Sequence, residues 1–210
     1  MIIAVSSAIS GLGKGVKKLS ELNIIMAVLL MLFILVFGPT IYILSTFTEG
    51  LGHYISHFIS LTFNTYAYEK GSQEWFSKWT ILYWAWWISW APYVGLFIAK
   101  ISKGRTIREF ILAVLFIPAF FNFLWMTVFG SSAVWIDEHV AHGALSEFAK
   151  NPDTLLFNFF TYFPFTTFVN VLSILIICVF FITSADSGIF IMNGIASKGA
   201  VSSPKWQSVF

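Results

Sequence analysis

The chain is 210 residues long, 58% hydrophobic and only 10% charged, with a formal net charge of +2 and a mean hydropathy of +0.81. Soluble domains carry about a quarter of their residues as charges, so these values exclude a soluble globule and describe an integral membrane protein. No basic block alternates with exposed aromatics, which excludes nucleic acid as a partner. The one cysteine, Cys178, sits in an apolar run, leaving no disulfide framework or thiolate metal site and predicting a buried, inert thiol.

In chain order, the opening MIIAVSSAISGLGKG has no basic n-region and is not expected to be a signal peptide. About 20 apolar residues cross the hydrocarbon layer, and the first such run, Ile24 to Leu44, has no charge and predicts one continuous span. Leu51, Tyr54, Ile55, Phe58 and Ile59 then recur with the spacing of one helical face, predicting an amphipathic interfacial helix over about 50–63. His53 and His57 lie four apart there, but with no evident third ligand a solvated polar face is expected, not a metal site. A second span is predicted over 79–99, between Lys78 and Lys100, and a third over 110–130, after Arg108 and Glu109. Leu155 to Phe165 carries six aromatics and suits a short interfacial segment. The fourth span, about 164–192, is read as one long helix with a polar band at Thr183, Ser184, Asp186 and Ser187.

Lys and Arg in short loops set topology. Nine of the twelve basic residues fall before the first span, between the second and third, or after the fourth; Lys70, Lys78 and Lys150 share the other side with seven acids. This predicts an all-α, multi-pass protein of the cell's inner (plasma) membrane, one membrane domain over 1–210, with four crossings and both termini cytoplasmic.

Two constellations bear on chemistry. Trp79, Trp84, Trp86, Trp87 and Trp90 crowd into twelve uncharged residues, with Pro92 just beyond. Indole faces hold cations, quaternary ammonium groups above all, so Trp86, Trp87 and Trp90 are candidates for one aromatic wall. An interfacial aromatic belt is the plainer reading, although these indoles lie in mid-span. Pro92 removes a backbone donor from the carbonyl of Ile88 and predicts a bend or opening of the helix. The second constellation is Phe180, Thr183, Ser184 and Ser187, one stripe by spacing. Its hydroxyls either bond back to carbonyls one turn earlier or, with carbonyls from another helix, hold a hard cation such as Na⁺. Asp186 marks either an ion or proton path or a cap near the cytoplasmic surface. No acid, base or metal set supports an enzyme, and no phosphate-binding loop occurs.

WTILYWAWWISWAPYVGLFIAKISKGRTIREF resembles the signature region of the betaine/carnitine/choline transporter family, FFITSADSG is similar to that family's later helix motif, and the opening SAISGLGKGVKKLS extends the resemblance to nearly the whole chain. The resemblance implies a secondary active transporter importing quaternary ammonium compounds (choline, glycine betaine or carnitine), built as a five-plus-five inverted repeat with two leading helices. This chain would supply spans seven to ten. It implies that Trp87 faces the trimethylammonium group, that Trp86 and Trp90 line the adjacent pathway, and that Phe180, Thr183 and Ser184 give part of a sodium site. Tyr93 stands where some sodium-coupled members have phenylalanine, which weakens a second ion site. SGIFIMNGIASKG leans toward choline-type members. No cofactor is implied beyond Na⁺ or H⁺ as coupling ion; the implied partners are the lipid bilayer, the missing N-terminal helices of the same transporter and two further copies in a homotrimer. Without those helices the chain is expected to be inactive alone. The alternative expectation is a small four-helix membrane protein with a structural or binding role.

Overall fold

The computed structural model describes residues 15–69, 71–149 and 152–197. Every regular element among them is helical, as expected where backbone groups must be satisfied within a lipid-embedded segment. In order they are α1 (Gly15–Phe37), α2 (Thr40–Phe63), α3 (Ser72–Trp75), a π-helical stretch (Phe76–Ile81), α4 (Leu82–Ile101), α5 (Ile107–Ile136), a second π-helical stretch (Asp137–Ala141), α6 (Ala144–Phe148), α7 (Pro152–Phe160) and α8 (Thr166–Ala196). Four helical runs are long and apolar enough to cross a membrane: Lys18–Phe37, Ser72–Ala99, Ile107–Ala141 and Thr166–Ala196.

The first helix departs from the sequence expectation. It stops at Phe37, and the residues assigned to its end, from Thr40 onward, begin α2 instead. Pro39 is the cause. It has no amide to offer the carbonyl of Leu35 four residues back, and its ring disfavours helix at the preceding residue. The Thr40 hydroxyl fills the gap, donating to Leu35 O at 2.6 Å, while the Thr40 amide turns to Gly38 O at 2.8 Å. The amphipathic pattern around 50–63 is accordingly the second half of the longer α2, not a separate helix.

The chain forms two compact units. One holds the residues up to Thr48 and those from Leu115 onward; the other is Glu49–Val114. In the first, α1 packs along α8. Phe33 near the end of α1 meets Phe163 just before α8, with ring centroids 6.1 Å apart, so the two helices run antiparallel. Leu30, Met31 and Ile34 of α1, Ile43 of α2, Val128 and Ile136 of α5, Phe159 and Phe160 of α7, and Val169 of α8 form the core. In the second unit, the turn before α5 is fixed by Gly104 at φ +91° and by a capping box. The Thr106 amide donates to Glu109 Oε2 (3.1 Å) and the Glu109 amide to Thr106 Oγ1 (3.3 Å). Cys178 is free and exposed, not buried as expected: its position on α8 faces away from the packed side.

Candidate functional site

The tryptophans belong to the second unit. Helical structure runs unbroken from Ser72 to Ile101, and the π-helical stretch Phe76–Ile81 contains Trp79. Such stretches carry an extra residue per turn and rotate everything that follows. Helix α4 continues through Pro92 without the opening the sequence predicts; the proline costs one backbone bond and leaves the helix intact.

Ring contacts on this helix fall into two groups, Trp79–Tyr83–Trp86 and Trp90–Tyr93, whose positions follow one stripe. Trp79 stacks on Tyr83 (6.0 Å, 22°), Tyr83 meets Trp86 (6.2 Å, 43°), and Trp90 meets Tyr93 (6.2 Å, 58°). Positions 79, 83, 86, 90 and 93 alternate steps of four and three. At roughly 100° per residue, the four within α4, at 83, 86, 90 and 93, stay within an arc of about 80°. Trp87 lies about 80° to one side of the stripe's centre by the same geometry, is 71% exposed, and enters no ring pair among the described residues. Trp86 and Trp90 are also exposed, and no ring contact joins them to each other or to Trp87. The expected three-membered wall is therefore divided, with Trp86 and Trp90 on the stripe and Trp87 beside it. The tyrosines Tyr83 and Tyr93 make the ring contacts. Their spacing from the tryptophans was the available signal for this stripe. Ser89 donates to Ala85 O (2.8 Å) and Trp86 O (3.0 Å), so its hydroxyl is turned onto its own helix.

The second constellation lies on α8, in the other unit. Thr183 Oγ1 donates to Phe180 O at 3.0 Å and Ser187 Oγ to Thr183 O at 3.0 Å. These are the back-bonds that make hydroxyls tolerable in apolar helices. They engage the hydroxyl protons and leave oxygen lone pairs available to a cation. Ser184 is exposed and bonds no described residue, and Phe180 is exposed. Asp186 is only 2% exposed, and neither carboxylate oxygen has a hydrogen-bond partner among the described residues. Ser173 Oγ on α8 and Asn23 Oδ1 on α1 are buried in the same condition. On α2 the His53 and His57 rings meet edge-on at 4.2 Å, and His57 Nδ1 lies 3.1 Å from His53 O. That arrangement uses the imidazole nitrogen for the backbone, and no group of three or more metal-ligating side chains occurs among the described residues.

Comparison with known proteins is consistent along the chain. Residues 1–210 match the family described as BCCT, betaine/carnitine/choline family transporter. An uncharacterized transporter of Haemophilus influenzae is 57% identical over 210 residues, covering 100% of this chain and 31% of its own length. The glycine betaine transporter OpuD of Bacillus subtilis is 44% identical over 200 residues, covering 95% of this chain and 38% of its own length. The high-affinity choline transport protein of Escherichia coli is 38% identical over 213 residues, covering 100% of this chain and 31% of its own length. The chain thus spans roughly a third of the length of these curated relatives.

Proposed function

The chain belongs to the betaine/carnitine/choline transporter family, and from that premise we propose that it forms part of a secondary transporter for quaternary ammonium compounds, with Trp87 as the residue that meets the methylated nitrogen. The carrying observation is the state of α4: it is dense in tryptophan, yet none of its described side chains is buried, and Trp87 stands beside the aromatic stripe. Trp84 is likewise exposed and off the stripe, so the choice of Trp87 follows the resemblance of the Trp79–Gly95 run to the family's signature region. The names of the relatives, a glycine betaine transporter and a choline transport protein, support the substrate class.

In this reading Trp86 and Trp90 border the pathway. Thr183 and Ser184, with the carbonyl of Phe180, contribute oxygens to a sodium site that other helices complete, and a proton is the alternative coupling ion. Asp186 and Tyr93 are secondary candidates. Both termini are cytoplasmic, the fold is part of a five-plus-five inverted repeat, and the assembled protein is a trimer. Alternating access needs one repeat to move against the other, so the 210 residues alone are inactive. The stripe at 79, 83, 86, 90 and 93 favours one structural role alongside this: its four-three spacing suits the seam by which α4 packs on another helix.

The test replaces the matching segment of the Bacillus subtilis relative with this chain and measures uptake of labelled choline and glycine betaine. Trp87→Ala should weaken apparent affinity by about tenfold or more, the worth of a desolvated cation–π contact, at unchanged membrane abundance. Undiminished uptake by that variant sinks the assignment of Trp87. Thr183→Val with Ser184→Ala should remove any sodium dependence of the same uptake.

A further inference from the structure

The geometry points to a binding site for one anionic phospholipid at the corner between α4 and α5. A cavity of about 210 Å³ opens there, lined by Ile98 of α4, Ser102 and Arg105 of the connecting turn, and Phe110, Ala113 and Val114 of α5. All six residues belong to one compact unit. The turn joins two candidate spans, Ser72–Ala99 and Ile107–Ala141, on the side that carries nine of the twelve basic residues, which the usual bias places in the cytoplasm. The proposal needs that membrane embedding and is independent of the ligand assigned to Trp87.

The lining is sorted by depth. Arg105 is exposed and lies between the two spans, at the level of the head groups. Phe110, Ala113 and Val114 follow roughly 5–10 Å along α5 from its start, where acyl chains begin, and Ile98 faces them from the last turn of α4. A cationic head above an apolar slot has the form of a phospholipid, with its phosphate above and its chain below. A free phosphate would use the arginine alone and leave the apolar walls wet. A neutral lipid chain would use the walls and leave the arginine idle.

Charge narrows the head group. The Arg105 guanidinium makes no hydrogen bond or ion pair with a described residue, and its planar fork suits phosphate oxygens. The competing acid is Glu109, which interacts with Arg105 electrostatically. Its Oε2 is already engaged by the Thr106 amide at 3.1 Å and the Thr106 hydroxyl at 3.0 Å. The Ser102 hydroxyl donates to Ile98 O, so Arg105 is the lining side chain with donors to spare. No carboxylate lines the cavity. A choline head group would therefore bring a second charge that the lining cannot pair, whereas phosphatidylglycerol brings the phosphate alone. Basic pockets beside helices on the cytoplasmic side favour acidic lipids for this reason. The turn is fixed by Gly104 at φ +91° and by the Arg105 amide, which donates to Ser102 O at 3.1 Å, so the guanidinium is held at the mouth.

Native mass spectrometry of the 210-residue chain in mixed micelles, with helicity checked by circular dichroism, measures the binding of phosphatidylglycerol against phosphatidylcholine of the same chains. Phosphatidylglycerol should bind about fivefold more tightly, the worth of one basic residue beside an anionic head group, and Arg105→Gln should abolish that preference. Lys103→Gln removes the same charge from the same exposed turn but lies outside the lining, and it should leave the preference intact. Ala113→Phe fills the slot without changing charge and should weaken phosphatidylglycerol binding by about fivefold or more. Millimolar inorganic phosphate should not displace the lipid. Equal losses in Arg105→Gln and Lys103→Gln would reduce the effect to diffuse attraction by a basic loop and overturn the proposal. So would undiminished binding by helical Ala113→Phe, displacement by phosphate, or equal binding of the two lipids by the wild-type chain. The Arg105 and Lys103 comparison is made at exposed turn positions, so it decides the matter even where Ala113→Phe does not fold.

Discussion

Replacing Thr40 with valine tests the account of the helix break directly. The hydroxyl lies 2.6 Å from Leu35 O and substitutes for the amide that Pro39 lacks. Valine keeps the shape and removes the donor. An acceptor left unsatisfied away from water costs about 1–3 kcal/mol, and because Thr40 is only partly buried the lower half of that range, about 1–2 kcal/mol, is expected. The decisive comparison is a double-mutant cycle with Pro39→Ala. Alanine restores an amide at the position four residues after Leu35, so in that background Thr40→Val should cost less than about 0.5 kcal/mol. The two substitutions should therefore couple by about 1 kcal/mol, above the few tenths at which independent sites add. Reversible unfolding in mixed micelles, followed by circular dichroism, measures all four proteins. Equal costs of Thr40→Val in both backgrounds would refute the claim that the hydroxyl stands in for the proline's missing donor.

Gly38→Ala should destabilise the same junction by about 1–3 kcal/mol, the range for forcing a methyl group into an occupied space, since its Cβ would lie 2.5 Å from the Ile34 carbonyl; an unchanged unfolding midpoint would contradict that packing. Asp186→Asn should raise the midpoint, because it removes a carboxylate that is buried without a partner among the described residues and whose charge is costly out of water. A clear fall would mean that the ionised group is paired or holds an ion in the membrane.

Hydropathy made the helical class legible because the bilayer leaves few alternatives for the backbone. Length and charge brackets placed the long runs near Trp79, Phe110 and Pro164. The same logic fails over residues 24–44, where an uncharged stretch conceals Pro39: hydropathy counts side chains, while the break comes from a missing backbone donor. The π-helical stretches at Phe76–Ile81 and Asp137–Ala141 escaped for a related reason, since they are set by backbone hydrogen-bond register and carry no compositional mark. The start of α5 did carry a mark, the spacing of Thr106 and Glu109 in the capping box. For the site, residue type pointed to the tryptophans, but helical angle separates them, and that angle required Tyr83 and Tyr93 to be read with them.

The exposure of α4 bears on where this helix works. An indole carries one N–H donor, which finds a partner when taken out of water, and among the described residues no hydrogen bond is made by the indoles of Trp84, Trp86, Trp87 or Trp90. A belt position near the head groups would supply such partners, but four indoles within seven residues span only about 9 Å along the axis, in the middle of the candidate span Ser72–Ala99. Hydrocarbon offers nothing at that depth. The arrangement is stable only if other protein surface or a hydrated pathway meets these side chains, and both conditions are supplied by the transporter assembly proposed above. A membrane-facing α4 would instead tolerate phenylalanine at all four positions. Replacing Trp84, Trp86 and Trp90 together by Phe in the chimaera should therefore lower uptake with little change in abundance, and full uptake by that triple variant would return α4 to a simple lipid-facing helix.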